Sequence, residues 1–264
     1  MGKLYLELIR IRFLTMLAYR VNYYSGIIIY NINIGAYYFL WGAIYGGQKN
    51  LAGMTVEQMT AYVAIAWMSR AFYFNNIDQE IAQEVRDGKV AIEMIRPYNY
   101  LTVKAAQALG EGIFRFLVFA LPGMILVSFF LPFSFPSTWG AWGNYLTSLL
   151  LAFVINTEIN LLTGVLTFFL FRNEGIMFAK RVVVDLLSGL ILPISFFPIW
   201  AQAIMNYLPF QAINYYPSMI FAGAVGPEKA GEVILLQIIW VVILLLPISL
   251  LWRLARRKMI VQGG

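Results

Sequence analysis

The chain's 264 residues are 61% hydrophobic and 12% charged, against about 45–50% apolar and about 25% charged in soluble domains. That leaves too little polar surface to clothe a water-facing globule, so a lipid bilayer is the expected solvent. With no Cys and no His, disulfides, thiolate nucleophiles, zinc–thiolate sites and iron–sulfur ligation are excluded, and the commonest general base and metal ligand is missing.

The first residues carry Lys3, Glu7, Arg10, Arg12 and Arg20, which break any apolar signal core, and no small-residue cleavage site follows. Residues 1–23 read as an interfacial helix or as a cytoplasmic extension of the first span, because Lys3, Glu7 and Arg10 share a face that Arg12 and Arg20 leave. Runs of about 20 apolar residues, enough to cross a hydrocarbon core about 30 Å thick, fall near 24–46, 58–75, 108–131, 142–171, 177–197 and 231–252. Arg70 interrupts the second of these, and Lys180, Arg181 and Asp185 crowd the start of the fifth, where charge is costly unless paired or snorkelling. In the first, Asn31, Gly35, Tyr38 and Gly42 share a face; small residues at that spacing suit a helix-packing seam, within the chain or between subunits.

The longest polar stretch, 76–100, lies between the second and third spans. Ile77, Ile81, Val85, Ile92 and Ile95 fall on one helical stripe, while Gln79, Glu80, Gln83, Arg86, Asp87 and Glu93 face elsewhere. Gly88 inside the stripe predicts that one helix stops near Asp87 and a second runs to about Ile95. Pro97 then pushes Arg96 out of the helical region. The pattern fits a surface helix on the membrane's inner face and equally a docking element for a cytoplasmic partner.

In the fourth span, Asn156, Asn160, Thr163 and Thr167 form a polar stripe. Such stripes glue helices at about 1 kcal/mol per hydrogen bond, or less often line a path. Glu158 points away from that stripe. It is expected to be neutral, wet or matched with a cation such as Arg70 or Arg115, and to serve as a structural ion pair ahead of a cargo contact. From Leu192 to Gly226 the chain is broken by Pro193, Pro198, Pro209 and Pro217. Trp200, Tyr207, Phe210, Tyr215 and Tyr216 suit the outer interfacial belt, so short re-entrant or interfacial helices are expected over 193–228.

The 19 Lys and Arg outnumber 13 Asp and Glu, and their placement sets the orientation. With both termini cytoplasmic, the outer loops beside the first and last spans hold only Lys49 and Lys229, and the loop 132–140 holds no basic residue. The inner segments hold Lys3, Arg10, Arg12 and Arg20, then Arg86, Lys89, Arg96 and Lys104, then Arg172, Lys180 and Arg181, and finally Arg253, Arg256, Arg257 and Lys258. An even number of spans agrees. The chain reads as a single transmembrane domain over 1–264, without inverted repeats or a phosphate-binding loop. It contains no nucleophile and His pair, and no catalytic residues are expected.

Two segments resemble one family. The run Glu84–Tyr100 is similar to the cytoplasmic G-x-hydrophobic-x-x-x-hydrophobic-x-R-P signature of ABC-2 type permeases, the membrane subunits of ATP-binding-cassette exporters, with Gly88, Arg96 and Pro97 carrying the match. Leu187–Trp200, with Leu208–Phe210, Pro217 and Gly223, is similar to the segment before that family's last span. Within the family the chain looks closest to the bacterial branch of viologen-exporter-like permeases.

The resemblance implies an all-α integral membrane protein with six transmembrane helices in the ABC-2 exporter fold. It implies an N-terminal elbow helix at 1–23, a cytoplasmic coupling segment at 76–100 and extracellular re-entrant helices at 193–228. It also implies a separate ABC ATPase dimer carrying ATP and Mg, and a second permease copy or a related permease, in the cytoplasmic membrane. It raises the docking reading of the segment, for which the candidate contacts are Ile81, Glu84, Arg86, Asp87, Gly88, Glu93, Arg96 and Pro97. Membrane lipid is an expected partner and nucleic acid is not, and no cofactor is expected on the chain itself. The expectation is a permease subunit of an ATP-driven exporter. Its apolar, aromatic- and Met-rich interior suits a hydrophobic or amphipathic cargo, and Glu158 favours a cation. The candidate pathway or ion-pair set is therefore Glu158, Asn156, Asn160, Arg70 and Arg115. A membrane assembly factor without a transport cycle and an ion-coupled secondary carrier are the alternatives.

Overall fold

A computed structural model describes residues 2–19, 21–131, 135–170 and 172–262. Arg20 and part of the 132–140 loop, both used in assigning the orientation, lie outside the described residues. The chain begins with α1 (Gly2–Ala18) and α2 (Val21–Tyr45). A two-strand hairpin follows, β1 (Asn50–Leu51) and β2 (Met54–Thr55), with Asn50 opposite Thr55. Thr55 then caps α3 (Val56–Tyr73): its side chain accepts from the Gln58 N–H, and the Gln58 side chain accepts from the Thr55 N–H, a capping box.

Beyond α3 come the short helices α4 (Ile77–Arg86) and α5 (Val90–Ile95). Next, α6 (Tyr100–Arg115), a π-helical turn (Phe116–Ala120) and α7 (Leu121–Phe130) form one continuous rod. The helix α8 (Trp139–Val165) leads to α9 (Glu174–Leu187). Two small helices, α10 (Ile199–Met205) and α11 (Tyr215–Phe221), precede the long α12 (Pro227–Gln262).

Among the described residues, four stretches are long and apolar enough to cross a membrane: 26–45, 100–130, 139–168 and 227–258. Their surroundings differ. The apolar window on α8 is 72% buried within the protein, whereas those on α2 and α12 are 11% and 17% buried. So α8 is the hub against which α3, α4, α11 and α12 pack, while α2 and α12 turn residues such as Ile28, Phe39, Leu235, Val242 and Leu246 outward. An exposed apolar surface of this extent suits lipid and not water.

The other two expected spans depart from simple crossings. α3 is almost wholly buried by protein, so its apolar content is diluted by Thr60, Ser69 and Arg70. α9 is a 14-residue helix that stops at Leu187, short of the expected end at 197. The cause is local: Gly189 takes a left-handed φ of +84°, where a Cβ would lie 2.7 Å from the Tyr62 hydroxyl. Pro193 then prevents the helix from resuming.

After that break the chain turns back into the bundle, and α11 wedges against α3 and α8 with Asn214, Ser218, Ile220 and Phe221 buried. Of the five aromatic residues expected at the outer interface, Trp200 and Tyr207 are exposed. Phe210, Tyr215 and Tyr216 are half-buried, and Tyr215 meets the Tyr62 ring. On α2 the buried positions are Ile34, Trp41 and Tyr45. A Cβ at Gly35 or Gly42 would meet nothing within 4 Å, so those two glycines form no seam within the chain.

Contacts define the two ends of the bundle. At one end Arg12 reaches Glu80 and Glu111, Trp252 stacks on Tyr100 at 5.4 Å, and Lys258 lies 5.5 Å from the Phe169 ring. At the other end the Gln58 amide donates to the Gly223 carbonyl over 3.3 Å, close to the hairpin.

Candidate functional site

The site is built on the bend between α4 and α5. Acidic Asp78 and Glu80 occupy the first turn of α4 and Arg86 its last, each matched to the local helix dipole. Ile77 and Ile81 are buried, and Ile81 packs on α8 at Gly164. A Cβ on that glycine would lie 2.9 Å from Ile81 Cδ1 and 3.1 Å from Asp78 Cα, so the absent side chain permits the close approach. Gly88 has φ +70° and separates the two helices, whose breaks fall beside it.

That break also rotates α5 relative to α4. The single apolar stripe from Ile77 to Ile95 therefore does not persist: Val90 becomes the buried contact, while Ile92 and Ile95 are 58% and 82% exposed. Two of the candidate docking residues lie on the inner side of the corner. Ile81 is fully buried and Glu84 turns inward, where it accepts from Lys104 Nζ at 2.5 Å and from the Tyr100 hydroxyl at 2.6 Å. The outward surface is formed by Gln83, Arg86, Asp87, Gly88, Lys89, Ile92, Ile95, Arg96 and Pro97. Glu93 is half-buried, accepting from the Tyr98 hydroxyl at 2.5 Å and pairing with Arg96 at 3.3 Å. Lys89, missing from the expected contacts, donates to Asp87 at 2.9 Å. That bond, helped by a donor from Gln83, lowers the Asp87 carboxyl below its ordinary range.

Behind this corner lies a network of charged and amide groups. Arg12 on α1 donates to Glu80 on α4 and, at 2.7 Å, to Glu111 on α6. Glu111 also holds Arg115, which donates to the Phe74 carbonyl at 3.0 Å. Burial opposes the Arg12 charge, but the two carboxylates outweigh it and raise its pKa above the usual guanidinium value. Farther in, Lys180 on α9 donates to Asp78 at 2.8 Å and to the Asn160 side-chain Oδ1 at 2.5 Å. Arg70 on α3 forks onto both carboxylate oxygens of Asp185.

The asparagines of α8 have a specific task. Between α3 and α4 the backbone is not helical, so its carbonyls need partners inside the bundle. Asn156 donates to the Tyr73 carbonyl at 2.8 Å, and Asn160 donates to the Asn75 carbonyl at 3.0 Å. Asn75 in turn donates to Thr157 at 3.1 Å. These bonds bind the break in the chain to the hub helix.

Glu158 is not brought to either expected partner. Arg70 is occupied by Asp185, and Arg115 by Glu111 and the Phe74 carbonyl. At 100° per residue Glu158 lies on the opposite side of α8 from Asn156 and Asn160, away from the face that meets α3 and α4. It is buried, and its Oε2 has no protein partner among the described residues. Asp185 is visible in the sequence as a charge needing compensation; what the sequence lacks is that α9 brings it to Arg70 of α3.

Comparison with known proteins places residues 31–263 within the family model described as ABC-2 family transporter protein. No curated protein and no solved structure matches the chain.

Proposed function

The chain belongs to the ABC-2 transporter family and is a membrane permease subunit of an ABC transporter, and from that premise we propose that it works in ATP-driven export across the cytoplasmic membrane. In this reading the chain crosses six times with both termini cytoplasmic. It pairs with a second permease, identical or related, over an ATPase dimer that binds ATP and Mg. α1 is the elbow, α4 and α5 form the coupling segment, and the stretch around α10 and α11 is the extracellular re-entrant element. The branch of viologen-exporter-like permeases is the proposed place within the family.

The observation that carries this reading is the α4–α5 corner. It offers exposed Ile92 and Ile95 beside charged Arg86, Asp87, Lys89 and Arg96, a surface with both apolar anchors and a polar rim. Its inner side is fastened to α1, α6, α8 and α9, so a push delivered there reaches the spanning helices as a rigid-body motion. The cargo is proposed to be hydrophobic or amphipathic and cationic, because Glu158 is a buried acid whose candidate arginines are engaged elsewhere.

Ile95→Asp tests the docking surface without disturbing the fold, since that side chain is 82% exposed. The variant should purify with unchanged melting behaviour but lose its co-purifying ATPase and the lipid-dependent ATPase activity. Retention of both would remove the docking claim.

A further inference from the structure

α9 has polar groups directed into the protein and apolar groups directed out. Lys180 and Asp185 reach into the bundle, while Phe178, Val182 and Leu186 are exposed. Arg181 stands at the boundary between these faces. The surrounding cations each have a carboxylate: Arg12 has Glu80 and Glu111, Arg70 has Asp185, and Arg86 has Glu174. Lys104 has Glu84, Arg115 has Glu111, and Lys180 has Asp78. Arg181 has no carboxylate within ion-pair range among the described residues. It donates to the neutral Asn76 side chain over a long 3.4 Å and lies 5.8 Å from the Phe74 ring.

Arg181 also lines a cleft of about 560 Å³ between α4 and α9, together with Asn76, Gln79, Met177 and Phe178. Two acids, Glu80 and Glu174, border the same cleft, but they are held by Arg12 and Arg86 and do not neutralise Arg181. A half-buried, uncompensated guanidinium beside an apolar lipid-facing surface calls for an anion with an apolar body. We propose that this cleft binds an anionic phospholipid. Its phosphate pairs with Arg181, and its acyl chains run along Phe178, Val182 and Leu186. A planar guanidinium suits two phosphate oxygens at once, and the amides of Asn76 and Gln79 add neutral donors. A zwitterionic headgroup is the poorer fit, because the acids nearby are already engaged. Assigning the site to the cytoplasmic leaflet rests on the orientation proposed above; the binding does not.

The full chain, reconstituted in phosphatidylcholine nanodiscs with a minor fraction of spin-labelled phosphatidylglycerol, provides the test. The motionally restricted lipid signal is compared with that of spin-labelled phosphatidylcholine. Wild type should select the anionic lipid, and Arg181→Gln should lower that selectivity about fivefold, the weight of one interfacial cation. Arg181→Lys should keep most of it, which separates charge from loss of fold. Arg257→Gln, at the exposed end of α12, should leave it unchanged. Equal selectivity in Arg181→Gln, or an equal loss in Arg257→Gln, would overturn the site. Abolition by millimolar inorganic phosphate would assign the cleft to a free anion. Disulfide cross-linking of Phe178→Cys between two copies, with no lipid selectivity, would assign the face to a second permease.

Discussion

Among the described residues, Asp78 and Lys180 form the most deeply buried ion pair, and removing one partner has a different consequence from removing both. The Asp78 side chain is 2% exposed, that of Lys180 is 14% exposed, and their charged atoms are 2.8 Å apart. At that separation the attraction is about 6 kcal/mol for an effective dielectric constant of about 20, most of it offset by the cost of burying two charges. Lys180→Met would leave Asp78 as a bare buried carboxylate. Asp78→Asn would leave Lys180 with only the Asn160 side-chain Oδ1, at 2.5 Å, and the substituted amide. Each single change is expected to cost about 3–5 kcal/mol, whereas the double variant, which leaves no unmatched charge, should lie within about 1 kcal/mol of wild type. Thermal melting of the four proteins in the same nanodiscs, followed by intrinsic Trp fluorescence, reads the order. Wild type and the double variant should melt together, well above both single variants. Singles that melt with the wild type, or a double variant less stable than either, would refute the pairing as the source of stability.

Two further predictions follow from close approach and from isolation. A Cβ at Gly110 on α6 would lie 2.4 Å from the Ile9 carbonyl oxygen and 3.1 Å from Arg12 Cβ, so Gly110→Ala should displace α1 at a cost of about 1–3 kcal/mol. Limited proteolysis after α1 should rise accordingly, while Gly35→Ala, which meets open space, should leave melting and cleavage unchanged. Glu158→Gln, with flux measured in proteoliposomes containing the partner ATPase, should weaken export of cationic cargo more than neutral cargo; equal loss for both would make Glu158 structural.

The spanning helices were legible because hydrophobicity is local: 26–45, 139–168 and 227–258 lie close to the apolar runs that identify them. Gly88 was legible for the same reason, since a helix stop is written in its own residue. What failed depends on distant neighbours. The stripe from Ile77 to Ile95 assumed a common phase, but the left-handed Gly88 changes the direction of α5 and exposes Ile92 and Ile95. The charge of Arg70 plainly needs a partner, yet Asp185 and Glu158 are both carboxylates in nearby segments, and only the reach of Asp185 from α9 to Arg70 distinguishes them. Likewise nothing local to Glu84 indicates that Lys104 and Tyr100 approach it from α6.

In the proposed coupling role, the same long-range contacts would let a short helix act as a lever. An isolated 10-residue helix such as α4 would be marginal even in favourable sequences, so its stiffness has to come from its neighbours. Glu80 is held from α1, Glu84 from α6, Asp78 from α9, and Ile81 sits over Gly164 on α8. Because these contacts lie on several sides of α4, displacing it without moving its neighbours would break charge pairs in a poorly solvated region, each costing more than a surface ion pair. Moving them together preserves every pair. The cheaper motion is therefore collective, and the segment that faces outward at α5 is joined to the spans through α4 by interactions that resist independent sliding.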